Sequence, residues 1–104
     1  MDAHDMPITP GPELTVAHAE SFRERLLARI AQGGAFPPLD LGAVERFDSA
    51  GVQLLLSLRR TLATRHEALC LSAASELVAD TLSFYGLHAL LPAAPGADRP
   101  GARA

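Results

Sequence analysis

The sequence predicts a small α/β fold, with a mixed or parallel β-sheet and helices packed mainly on one side. Three observations carry this. Apolar residues recur at helical spacing in three separate stretches. Short extended runs lie between those stretches. Glycines, prolines and capping residues punctuate the joins. Strands alternating with helices imply parallel pairing through right-handed crossovers.

The elements follow in chain order. Residues 1–12 hold three prolines and one glycine, so Ile8 and Thr9 form a strand that is short or at an edge. Glu13-Leu14-Thr15-Val16 continues as extended or loop structure. The first helix runs from about Ala17 to Gln32, with Phe22, Leu26, Leu27 and Ile30 on one face. Glu20, Arg23, Glu24 and Arg29 fill the other face, and Gly33-Gly34 ends the helix.

Pro37-Pro38 resets the chain before Leu39-Asp40-Leu41, a strand whose alternation puts both leucines on one face. Val44 and Phe47 carry the apolar pattern towards a turn. The second helix starts at Ser49 or Ala50 and reaches about Arg65. Ala68 to Ser72 is the next strand, and Cys70 within it reads as a small core residue. Ser75 is the N-cap of a third helix, whose inner face is Leu77, Val78, Thr81, Leu82 and Tyr85. Gly86 is its C′ residue, with Leu87 folding back on the last turn. His88 to Leu91 is a further short strand. Residues 1–91 thus read as one domain, and 92–104, with no large apolar side chain, as a disordered tail.

Bulk properties narrow the function classes. A chain of 104 residues fits a single domain, and 48% hydrophobic residues are enough to build its core. The net charge of −3 argues against a nucleic-acid partner. One cysteine makes no internal disulfide, so the fold needs no oxidising compartment. The first residues lack a basic region followed by an apolar run, and no stretch nears the roughly 18 apolar residues of a membrane span. The expected location is the cytoplasm, without direct membrane insertion. His4, His18, His66 and His88 show no metal-ligand spacing. No phosphate loop, catalytic triad or nucleophile elbow is present in the sequence. Neither a metal, a cofactor nor an enzymatic activity is expected.

The informative segment is Asp48-Ser49-Ala50-Gly51. One reading is structural. Asp48 or Ser49 caps the helix for about 1 kcal/mol, and Gly51 lets another backbone approach. The other reading is functional. On a wheel of about 100° per residue, Leu54, Leu55, Leu58 and Leu62 form the core side. Ser49, Val52, Leu56 and Arg60 fall on a different side, as an apolar stripe that begins at a serine. A phosphate on Ser49 would sit at the positive end of the helix and so spare the fold. It would also repel an apolar or acidic partner at that face. Asp48, Ser49, Val52, Gln53, Leu56 and Arg60 are therefore the candidate partner-binding residues, with Ser49 the candidate phosphorylation site.

The segment Leu39-Asp40-Leu41-Gly42-Ala43-Val44-Glu45-Arg46-Phe47-Asp48-Ser49-Ala50-Gly51-Val52 resembles the STAS family, the bacterial anti-sigma factor antagonists and their relatives. The pattern is a strand ending in Leu-Asp-Leu, a short apolar link, then Asp-Ser-x-Gly opening a helix. A late leucine-bearing helix closed by Gly-Leu and a hydrophobic pair matches Leu82 to Leu91. The likeness runs from about Ile8 to Leu91. It implies a STAS-like fold and a regulatory protein that is not an enzyme. In the antagonists the serine after the aspartate is phosphorylated by a cognate anti-sigma kinase, a role that carries to Ser49. Ala50 stands where many members have a second serine, and Gly42 where a serine often follows Leu-Asp-Leu.

The short N-terminal part and Pro12-Glu13-Leu14-Thr15 resemble stand-alone STAS proteins. Some of these accompany chemotaxis kinases. Others are cytoplasmic accessory subunits that dock on the ATPase of a lipid-transport ABC system. The resemblance thus implies a serine kinase or anti-sigma factor, a chemotaxis kinase system or an ABC ATPase as the partner. An open sheet edge at the proline-flanked first strand leaves room for a weak homodimer.

Overall fold

A computed structural model describes residues 6–92. The elements in chain order are β1 (Glu13–Leu14), α1 (Val16–Ala31), β2 (Leu39–Leu41), β3 (Arg46–Phe47), α2 (Ser49–Ala63), β4 (Leu71–Ala74) and α3 (Glu76–Phe84), followed by a 3₁₀ turn at His88–Leu90. The fold is α/β, as the sequence predicts. Every described strand pairing is parallel: β1 with β3, β2 with β4, and an isolated bridge from Ile8 to Leu39. Two of these strands, β1 and β3, lie where the sequence reads only extended chain or the approach to a turn. Each has two residues, too few to show a period.

The Leu-Asp-Leu strand behaves as its alternation requires. Leu39 and Leu41 are fully buried, while Asp40 between them is only partly covered. They join a contiguous core with Leu14, Phe22, Leu26, Val44, Leu55, Leu58, Leu62, Val78 and Leu82. Each fully buried leucine contributes roughly 1.5–3 kcal/mol relative to leaving it in water.

The helix ends follow local rules. Gly33 and Gly34 take positive φ after α1. At the end of α3, Gly86 has φ 75°, its amide donates to the Ser83 carbonyl, and the Leu87 amide donates to the Leu82 carbonyl. That double bond pattern closes the helix and turns Leu87 onto the core. The same pattern ends α2, where the His66 amide donates to Ala63 and the Glu67 amide to Leu62. There the left-handed position belongs to His66, at φ 61°.

Several expectations are corrected. β4 begins at Leu71, three residues later than the sequence predicts, and Cys70 is exposed. Leu69 and Leu71 on either side are buried, and alternation turns Cys70 outward. His88–Leu90 is a 3₁₀ turn, not a strand. Its i→i+3 bonds, from Leu90 to Leu87 and from Leu91 to His88, curl the chain so that Leu90 is buried. On α1 and α3 the apolar stripes are wider than the buried ones. Leu27, Leu77 and Tyr85 are exposed, whereas Phe22, Leu26, Val78 and Leu82 are buried. The expected disordered tail beyond Pro92 lies outside the described residues, as do the first five positions.

Candidate functional site

The site is the turn from β3 into α2. Asp48 has extended backbone angles and is the N-cap of α2. Its Oδ1 accepts from the Ala50 amide at 2.9 Å and the Gly51 amide at 3.4 Å. Its Oδ2 accepts from the Val16 amide at 3.1 Å. Val16 is the first residue of α1, so one carboxylate caps two helices. Thr15, the N-cap residue of α1, makes no side-chain cap bond. Its hydroxyl instead donates to Glu13 Oε2 at 2.7 Å. That bond, with His18 Nδ1 at 3.1 Å from the same oxygen, holds the Glu13 carboxyl below its ordinary value of 4.5.

Gly51 is required by the geometry. A Cβ there would lie 2.6 Å from Phe47 Cε1 and 2.7 Å from the Leu14 carbonyl oxygen. The start of α2 thus rests directly on β1 and β3, which fixes where Ser49 stands.

Ser49 is the first residue of α2 and is exposed. Because Asp48 does the capping, the serine hydroxyl is not needed for it. Gln53 and Arg60 are also exposed, and Leu56 is half-buried without joining the core. Val52 is 2% exposed, which removes it from the predicted surface. The physical reason is that α2 is buried over a broad arc at its start and a narrow one at its end. Gly51, Val52, Leu54 and Leu55 are all buried near its start, and only Leu58 and Leu62 further along. A wheel drawn with one uniform core side misses this widening. The structure therefore brings Ser49, Gln53, Leu56 and Arg60 onto one outward sector, with Asp48 at its base.

Beside that sector runs a shallow groove between α1 and α2. Ala19, Glu20 and Arg23 form one wall, and Ala50, Gln53 and Ser57 the other, over Leu54. No signal in the sequence places these two helices side by side. At the end of α3, Phe84 and Tyr85 form an exposed edge-to-face pair, although helical spacing puts Tyr85 on the inner face. The described residues contain no group of His, Cys, Asp or Glu able to hold a metal ion. No described helix is long and apolar enough to cross a membrane.

With this geometry in place, comparison with known families gives a match. A family model described as "Mlab, STAS domain" covers residues 7–92. The chain belongs to the STAS domain family. Comparison with curated proteins and with solved structures gave no match. Membership accounts for the parallel strand pairing and the Asp-Ser-x-Gly helix start, and points to a binding role of the regulatory kind. STAS domains in general mediate protein–protein contacts.

Proposed function

We propose that this STAS domain is a non-enzymatic regulatory module of the cytoplasm, of the anti-sigma factor antagonist type. It binds a serine kinase or anti-sigma partner on the outward sector of α2, through Ser49, Gln53, Leu56 and Arg60, and phosphorylation of Ser49 controls the contact. Residues 1–91 act as its one domain. The observation that carries this reading is the exposed Ser49 beside a capping Asp48. The fold does not depend on the serine hydroxyl, so that hydroxyl is free for a partner or a phosphoryl group.

The chemistry of the sector sets what fits it. Leu56 offers apolar contact, and the exposed Arg59 and Arg60 offer positive charge. A partner presenting an apolar side chain near carboxylates complements both. A phosphate at Ser49 adds about two negative charges at the head of this surface and turns such a partner away. The test is partner binding by Ser49→Asp and by the parent chain. The variant binds more weakly, with circular dichroism and the melting curve little changed. Equal binding by the two overturns the switch.

The Mlab description of the matching family favours a second reading. There the chain is a constitutive accessory subunit docked on the ATPase of a lipid-transport ABC system, and Ser49 is a contact. Co-purification of an ATPase, with no phosphorylated chain by intact mass, supports this reading. A phosphorylated fraction released from the partner excludes it.

A further inference from the structure

We propose that the Asp48 carboxylate couples the docking end of α2 to the first turn of α1, so that negative charge arriving at Ser49 loosens α1. This rests on the reading of Ser49 as the switched position. The coupling itself is a property of the isolated chain.

Asp48 Oδ1 serves Ala50 and Gly51 in α2, and Oδ2 serves Val16 in α1. The two oxygens are rigidly joined, so a movement that changes one bond changes the other. A phosphoryl group on Ser49 adds acceptor oxygens at the same helix start and competes with Asp48 for its amides. It also repels the carboxylate one residue away. The cheapest relief is rotation of Asp48, and rotation releases Val16.

The first turn of α1 has little else to hold it. Thr15 supplies no side-chain cap, and Val16 is 75% exposed. Ala17 and His18 are exposed as well. The remaining ties are the His18 and Ala19 amides on the Thr15 carbonyl, the His18 contact to Glu13 and the partly buried Ala19 methyl against the core. The turn that loosens leads straight to Ala19, Glu20 and Arg23, one wall of the groove whose other wall is Ala50, Gln53 and Ser57. A charge at Ser49 is thus read as a change in groove width as well as a local repulsion. A partner that spans both helices senses both.

Amide hydrogen exchange followed by NMR on the full chain, without any partner, tests this. Ser49→Asp speeds exchange at the Val16 and Ala19 amides several-fold over the parent. Asn at position 48 has one carbonyl oxygen and cannot serve both helices. In the Asp48→Asn background, Ser49→Asp therefore adds no further acceleration. Val16→Pro gives an independent check, since proline is favoured at the first helical position and removes only the donor. In that background, Ser49→Asp leaves Ala19 exchange unchanged. Unchanged Val16 exchange in Ser49→Asp overturns the coupling, and so does an equal acceleration in the Asp48→Asn or Val16→Pro background. Because no partner is present, either failure leaves the docking reading intact. Equal partner binding by Ser49→Asp, in turn, leaves the coupling intact.

Discussion

The Val16 amide donates to Asp48 Oδ2 at 3.1 Å, across a sequence separation of 32 residues. This bond makes the Asp-Ser-x-Gly turn a junction of two helices rather than the cap of one. Asp48→Ala removes acceptors from both. A lost N-cap costs about 1 kcal/mol, so the variant is expected to lose about 2 kcal/mol in urea unfolding. Asp48→Asn is expected to fall between Asp48→Ala and the parent. A loss in Asp48→Ala no larger than that of an ordinary single cap, such as Ser75→Ala, would contradict the double role.

Gly51→Ala is expected to destabilise the chain, against helix propensity. Alanine gains up to about 1 kcal/mol over glycine in a helix. Here its methyl would meet the Leu14 carbonyl oxygen at 2.7 Å, a backbone atom that cannot swing aside. Overpacking of this kind costs roughly 1–3 kcal/mol, so the net change is a loss. A raised melting temperature would show that β1 and α2 separate freely.

His66→Gly is expected to stabilise the chain by about 1 kcal/mol. His66 is the only described non-glycine residue with positive φ, and it fills the closing position of α2. A side chain in that conformation costs roughly 1–2 kcal/mol, part of which glycine returns through its freer unfolded state. The bonds from the His66 and Glu67 amides are backbone bonds and survive the change. The urea midpoint measures the gain.

Two carboxylates make stability fall in acid. Glu67 accepts from the Phe36 amide at 2.8 Å and from Arg65, and these bonds hold its carboxyl below 4.5. The Thr15 hydroxyl does the same for Glu13. A lowered folded value means that the unfolded chain binds the proton first. The contribution is therefore complete above the ordinary carboxylate range and is lost as pH falls below 4.5 through the folded values. Glu67→Gln and Glu13→Gln are each expected to flatten the fall in melting temperature below pH 4.5. An unaltered slope in both would mean that other carboxylates govern acid unfolding.

The extent to which the site was legible in the sequence differs residue by residue. Asp48, Gly51, Ser75 and Gly86 act through neighbours within a few positions, and cap chemistry and left-handed turns are local rules. Leu39 and Leu41 declare their face by alternation. Ser49 declares itself by its face on the helical wheel and by the STAS-like Asp-Ser-x-Gly pattern. Val52 is not legible as a buried residue, because its burial is set by tertiary packing around the start of α2, which no helical wheel contains. Cys70 reads as a core residue from its two leucine neighbours, but alternation buries Leu69 and Leu71 and turns the thiol outward.

The sequence by itself determined the three helices and where they end, the Leu-Asp-Leu strand and the exposed serine at the head of α2, because these depend on short-range backbone and side-chain chemistry. Only the tertiary structure decided that the Asp48 carboxylate reaches Val16, that Val52 is covered, and that α1 and α2 form a groove beside Ser49. Those facts are distances between segments far apart in the chain. They are set when the common core of Leu14, Phe22, Leu26, Leu55 and Leu58 brings the two helices together.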